Sequence, residues 1–219
     1  MRSSPKDFAS ETQRIQAYWQ ERAQLAQNDS QRVDSSRRAQ RMRFEAFILN
    51  HELGGKSILD LGCGVGDLWE HLCKRGIECE YFGMDLSPEM VRRCQERFPG
   101  IAFESANVLE WKHGRQFDYV VSFGIHNNVR LENGRQILQA VTARQFELCR
   151  IGAHVSLLTD RYPPGFASHM QPWNAEDILK LALEITPYVV LRHDYLPNDF
   201  SVTLYREPMI DTRKDLILV

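Results

Sequence analysis

The residues best placed to do chemistry lie in one short run, Ile58-Leu59-Asp60-Leu61-Gly62-Cys63-Gly64-Val65-Gly66-Asp67. An apolar strand ends there, and alternating glycines turn the chain into a helix. Glycine suits such a turn because it accepts left-handed backbone angles and lets a ligand approach the backbone closely. The helix start beyond it offers N–H groups to a carboxylate or phosphate. The spacing is G-x-G-x-G, and Asp67 stands where a dinucleotide fold would carry its third glycine. An acid at that point opposes a pyrophosphate and suits a cationic ligand, which disfavours a nicotinamide oxidoreductase. The lack of Gly-Lys-Ser/Thr disfavours a phosphate-cradling P-loop. Nineteen residues after Gly66 comes Asp85, where the next apolar run ends. An acid there can accept both hydroxyls of a ribose.

These residues need a sheet to hold them, and the pattern around them supplies one. Residues 57–62 read as a buried strand, 67–75 as a helix and 78–85 as a strand ending on the acid. Ser87-Pro88-Glu89 is a helix start, with the cap followed by proline at the first helical position, and the helix runs to about Phe98. Strands are expected at residues 101–105, 117–124 and 154–160, and a long helix at 132–150. Strands alternating with helices imply crossovers and a mostly parallel sheet. After a helix at 175–185, strands 188–195 and 200–206 flank Leu-Pro-Asn-Asp. So short a turn makes them an antiparallel hairpin.

The first 55 residues look different. A polar, helix-prone stretch carries Phe8, Ile15, Tyr18, Trp19 and Leu25, and Asn28-Asp29-Ser30 breaks it. A second helix is expected over residues 34–53, ended by Gly54-Gly55. We expect residues 1–55 to cap a single domain over 56–206, followed by a tail at 207–219 that is charged and then apolar.

Composition sets outer bounds. With 219 residues, 43% of them hydrophobic, the chain can bury a core without disulfide or metal. A net charge of −2 gives no support to a purely electrostatic nucleic-acid binder. No apolar run approaches the ~20 residues of a membrane span, and the first residues lack the apolar stretch of a secretory signal. Five cysteines without a C-x-x-C pair point to reduced thiols in a cytosolic protein and away from zinc. A cytoplasmic location is the expectation.

ILDLGCGVGD followed by FGMDLSPEMV resembles the class I S-adenosylmethionine-dependent methyltransferases. The resemblance covers about residues 56–206. It implies a Rossmann-like, doubly wound α/β sheet of seven strands, order 3-2-1-4-5-7-6, with strand 7 antiparallel. It also implies S-adenosylmethionine as cofactor and S-adenosylhomocysteine as product. Asp60 would support the loop and the methionine ammonium; Gly62, Cys63 and Gly64 would line the methionine part. Asp67 belongs to the same acidic loop face. Asp85 would take the ribose hydroxyls and Leu86 would pack on adenine. At Asn107-Val108-Leu109 the family often has an acid; Asn107 can still accept from the adenine amine through its carbonyl oxygen. Gly124 would face the sulfonium.

In that fold the segment after strand four borders the methyl group. Here it reads Ser122-Phe123-Gly124-Ile125-His126-Asn127-Asn128, without the Asn/Asp-Pro-Pro-Tyr/Phe of nucleic-acid amino-methyltransferases. His126 titrates near neutral pH and is a candidate substrate contact or base. Asp160 and His169, in the loop with Arg161, Tyr162 and Trp173 beyond the fifth strand, are further candidates. Small-molecule members of the family often lay an N-terminal helical segment over the cofactor. Tyr18-Trp19 and residues 32–43, which hold Arg32, Arg37, Arg38, Arg41 and Arg43, suit that position. Arg43 is the candidate partner of the methionine carboxylate. The expected function is therefore methyl transfer to a small-molecule N, O or S nucleophile. RNA or protein as acceptor, and a non-enzymatic binding module, are the alternatives; RNA is disfavoured because aromatics are not interleaved with the arginines. Oligomeric state is left open.

Overall fold

The strands β1 (Ser57–Leu61), β2 (Glu80–Asp85), β3 (Ala102–Ser105), β4 (Phe117–Phe123), β5 (Cys149–Leu158), β6 (Val189–Leu196) and β7 (Asp199–Tyr205) form one sheet in the order β3-β2-β1-β4-β5-β7-β6. β1 to β5 pair in parallel, and β7 runs antiparallel to both β5 and β6. Order and direction agree with what the resemblance implies. The structure is a computed structural model that describes residues 5–25, 36–112, 114–129, 131–161 and 170–210.

Six α-helices are described: α1 (Pro5–Leu25), α2 (Arg37–Ile48), α3 (Asp67–Lys74), α4 (Pro88–Arg97), α5 (Leu131–Leu148) and α6 (Ala175–Ile185). Their starts follow local chemistry. Ser36, Ser87 and Asn174 each accept a backbone N–H of the first turn through their side-chain oxygen, and Pro88 opens α4. α3 starts instead on Gly66, at φ 81° and without a side-chain cap.

The pleat divides the core in two. Ile58 of β1 joins Tyr119 and Val121 of β4 in a layer with Phe44 and Phe47 of α2, Leu68 and Leu72 of α3 and Cys94 of α4. Leu59 and Leu61, with Val120 of β4, face the other layer, with Leu138 and Val141 of α5 and Leu181 of α6. Helices on both faces are what a parallel sheet requires. Within the N-terminal 55 residues, α2 is therefore part of a core layer. Phe47 is fully buried, so Phe47→Ala is expected to cost about 3–5 kcal/mol.

Several boundaries differ from the sequence reading by a few residues, and three of these shifts have a visible cause. α2 stops at Ile48 and not at residue 53, because side chains take over its last carbonyls. Asn50 Nδ2 donates to Ala46 O at 2.8 Å, and His51 Nδ1 contacts Phe47 O at 2.6 Å. β5 begins at Cys149 and not at residue 154; pairing with β4 and then β7 satisfies backbone that Gly152 made look irregular. The hairpin turn shortens to Pro197-Asn198, so Asp199 opens β7, opposite Leu196. The tail beyond Ile210 and the break at residues 28–30 lie outside the described residues.

Candidate active site

At the carboxyl ends of β1, β2 and β4 the structure forms a cavity, the place where open α/β sheets bind ligands. Its floor is the glycine loop. The N–H groups of Gly62 and Cys63 both donate to Met84 O of β2, at 2.7 and 3.0 Å. Gly62 has φ 72°, and a Cβ there would lie 2.2 Å from Cγ2 of Ile125. Glycine is thus required both for the backbone angle and for contact with the turn that follows β4. Cys63 is buried against Cys94, whose thiol hydrogen bond, with burial, pushes the Cys63 thiol well above its usual range. Both observations describe packed thiols, not reactive ones.

Three carboxylates line the cavity: Asp60, Asp67 and Asp85. Asp85 is buried and fixed by backbone, with Oδ2 accepting Gly64 N–H at 3.0 Å and Oδ1 accepting Ser87 N–H at 2.8 Å. Burial still raises its pKa to about 6. Asp60 accepts the Tyr81 hydroxyl at 2.6 Å, and burial, with the charges of Asp85 and Asp67, lifts it to about 7. Asp67 accepts from Gln40 Nε2 at 3.0 Å and from Arg97 at 2.9 Å. Stacking acids in a closed space disfavours their charge, and a cation brought among them relieves that.

The remaining expected cofactor residues surround this acid face. Leu86, Val108 and Leu109 line one end of the cavity with Asn107. The Asn107 carbonyl oxygen already accepts Leu109 N–H at 3.1 Å, leaving its second lone pair for a ligand. Trp19 lies over the cavity from α1, with Thr12 and Ile15. Gln20 pins this roof: its Oε1 accepts the Ser87 hydroxyl at 2.8 Å and Glu89 N–H at 3.2 Å.

Arg43 also lines the cavity, but the structure gives it a partner the sequence reading did not supply. Nε and Nη2 bind both oxygens of Asp199 at 2.9 and 2.7 Å. Asp199 has no exposed side-chain surface. The paired edge of the guanidinium is therefore spent inside the chain rather than offered to a methionine carboxylate.

Beyond β4 the chain makes a short 3-10 turn, Ile125–Asn128, starting from Gly124 at φ 77°. Gly124 N–H donates to Ser156 O at 3.0 Å. His126 lines the cavity, is 1% exposed, and its Nε2 has no hydrogen-bond partner among the described residues. Burial pushes its pKa down to about 3, so the ring is neutral at pH 7 and weak as a base. Asn127 ties the turn to β5, its Oδ1 accepting Leu158 N–H at 3.1 Å. Arg14 of α1 donates to Asn128 O at 2.6 Å.

Asp160 is not brought to the cavity. It is exposed and accepts from Asn174 Nδ2 at 3.0 Å, beside the start of α6. His169 and Tyr162 lie outside the described residues. The sequence reading missed Asp199, Gln20, Gln40, Thr12 and Asn127. An acid or amide at a hairpin turn or on a polar helix carries no local mark of what it will meet.

Comparison with known proteins agrees with this geometry. Residues 58–144 match a family model described as a methyltransferase domain. Rv1506c of Mycobacterium tuberculosis, a protein carrying a methyltransferase name, is 46% identical over 77 residues, 35% of this chain and 45% of that one. The trans-aconitate 2-methyltransferase of Afipia carboxidovorans is 39% identical over 59 residues, 27% of this chain and 23% of that one. The matches thus span less than half the length of these relatives. Among solved structures, the magnesium protoporphyrin IX methyltransferase of Synechocystis PCC 6803 with bound S-adenosylhomocysteine superposes with TM-score 0.64 at 16% identity. That match covers 90% of this chain and 100% of that one. The 1,6-didemethyltoxoflavin-N1-methyltransferase of Burkholderia thailandensis gives 0.63 at 13% identity, over 94% and 91%. At such identities the likeness concerns the fold.

Proposed function

We propose that this chain, whose residues 58–144 match a methyltransferase domain, is a class I S-adenosylmethionine-dependent enzyme that transfers a methyl group from S-adenosylmethionine to a small-molecule acceptor. The observation that carries the reading is the acid face of Asp60, Asp67 and Asp85 around a left-handed glycine loop, continuous with the turn after β4. These residues fit the cofactor. Crowded, buried carboxylates suit a ligand bearing a sulfonium and an ammonium. The fixed Asp85 carboxylate suits two ribose hydroxyls, and Leu86, Val108 and Leu109 suit a flat base.

When bound, the cofactor supplies an already activated methyl group, so no metal or strong base is needed. The chain's task is to hold a nucleophile in line with the leaving sulfur, ~3 Å from the methyl carbon. Asp85 and Asp60 would orient the two ends of the cofactor. α1 excludes water from above through Thr12, Ile15 and Trp19. The Gly124–Asn128 turn would hold the acceptor, with the neutral His126 ring as a hydrogen-bonding contact and not a proton sink. The names of the relatives make trans-aconitate the comparison compound against which other acceptors are assayed.

Calorimetry with S-adenosylmethionine and S-adenosylhomocysteine tests the reading; absence of binding at ~100 μM, weaker than about 5.5 kcal/mol, would refute it. A second reading, with RNA as acceptor, draws on Arg37, Arg38 and Arg41, which are exposed at the start of α2. Its mark is binding to bulk RNA that weakens steeply with salt.

A further inference from the structure

The wall of the cavity holds more carboxylate than cation, and that surplus bears on the acceptor. Among the described lining residues Arg43 alone carries a Lys or Arg charge, against Asp60, Asp85 and Asp67, the last of which is ion-paired to Arg97 at 2.9 Å. Arg43 is held by a fourth carboxylate, Asp199. Arg14, whose guanidinium reaches the turn after β4, is ion-paired to Glu11 at 2.8 Å. A cationic cofactor offsets part of this negative charge; an anionic acceptor would find both guanidiniums already neutralised. Transfer of an unpaired anion into such a site is costly.

Phe44, Phe123, Ile125 and Met170 line the cavity near the turn after β4, with two amides that already have partners: Asn127 Oδ1 accepts Leu158 N–H, and Asn128 accepts from Arg14. Among the described residues of the lining, one buried side-chain atom has no hydrogen-bond partner, Nε2 of the His126 ring. A buried polar atom left unpaired in a cavity wall favours a ligand that completes its hydrogen bonding.

Resting on the transferase reading above, we propose that the acceptor is an uncharged molecule with an apolar body and a single O–H or N–H group. That group hydrogen-bonds to the His126 ring, which makes His126 the residue that selects neutral acceptors over carboxylates. In the transfer the acceptor heteroatom forms a bond to the methyl carbon and the carbon–sulfur bond breaks. The sulfur keeps the electron pair and becomes a neutral thioether, and the acceptor proton leaves to water. Because the His126 ring stays neutral, it contributes orientation and selection, and the nucleophile reacts without a charged partner.

The matched probes 2-naphthol and 2-naphthoate share a ring body and differ in donor against anion. Calorimetry first establishes S-adenosylhomocysteine binding; its failure overturns the transferase reading and this proposal with it. On the loaded protein, 2-naphthol should bind at least about 10-fold more tightly than 2-naphthoate. His126→Phe should weaken 2-naphthol by about 10-fold and leave 2-naphthoate unchanged, whereas His126→Gln, which keeps a donor and an acceptor, should retain most of the preference. With the cofactor product bound, any of three results overturns the proposal alone: no 2-naphthol binding below ~1 mM, 2-naphthoate binding as tightly as 2-naphthol, or 2-naphthol affinity unchanged in a folded His126→Phe protein. A fourth test needs no variant: methylation of trans-aconitate by the wild-type protein faster than of 2-naphthol also overturns it.

Discussion

Arg43 and Asp199 meet through two parallel hydrogen bonds, 2.9 and 2.7 Å long, across 156 residues of sequence. The pair joins α2 to the first residue of β7, and Ser156, whose carbonyl holds Gly124, also reaches Asp199 at 3.4 Å. It therefore braces the wall of the cavity where α2 meets β5 and β7. Removing one partner strands a buried charge. Asp199→Asn is expected to destabilise the protein by about 3–5 kcal/mol, and the double change Arg43→Met, Asp199→Leu by less than Asp199→Asn alone. Urea unfolding midpoints of the variants decide this; an unshifted midpoint for Asp199→Asn would show the pair to be dispensable.

Asp85→Ala is expected to weaken S-adenosylmethionine binding about 10–100-fold, the loss of one or two hydrogen bonds to a charged acceptor. Part of the effect is indirect, because Asp85 also fixes Gly64 and Ser87 through their N–H groups. Asp85→Asn, which retains one acceptor oxygen, should fall between. Calorimetry gives both constants, and equal affinity in all three proteins would contradict the ribose role.

The raised acids give a pH signature. Asp60 at about 7 and Asp85 at about 6 both lie above the unfolded value of about 3.9. Between pH 4 and 7 the folded state thus binds more protons than the unfolded one. The contribution of these groups to stability is greatest at the acid end and falls as pH rises through that window. A cationic ligand has the opposite requirement, since it favours the ionised acids. Its affinity should drop as pH is lowered from 7 towards 5, with protons released on binding near pH 6. Calorimetry in buffers of differing ionisation enthalpy measures that release. Uptake of protons would reverse the sign and count against charged-acid recognition.

Gly62→Ala is expected to cost more than about 1 kcal/mol, because alanine is strained at φ 72° and its Cβ meets Ile125 at 2.2 Å. Ile125→Ala in the same chain should return only the part due to the clash. Thermal unfolding of the single and double variants separates the two contributions; full recovery in the double variant would mean that backbone strain is negligible there.

The sheet and the acid face were legible because their determinants are local. A buried strand, three alternating glycines and an acid at the next strand end fall within 28 residues, 58 to 85. The helix start at Ser87-Pro88 was written in two residues. What could not be read was pairing at a distance. Asp199 looked like a turn residue until β7 placed it under α2. His51 and Asn50 looked like helix until their side chains replaced the backbone bonds that would have continued it. Arg43, expected to meet a methionine carboxylate, lines the cavity, yet its partner in the chain lay on an element whose position only the closed sheet defines. His126 lay in the right segment, but its burial, and with it a neutral ring, follows from packing beside Trp173, whose indole N–H donates to its carbonyl.

Gln20 serves two masters. It belongs to the roof helix, yet its side-chain oxygen satisfies the opening turn of α4, which begins three residues after Asp85. Lifting α1 from the cavity would therefore take that acceptor from the Ser87 hydroxyl and Glu89 N–H, while Ser87 Oγ still caps α4 through Met90 N–H. The roof and the first turn of α4 thus share one side-chain oxygen, so a change at residue 20 acts on both at once.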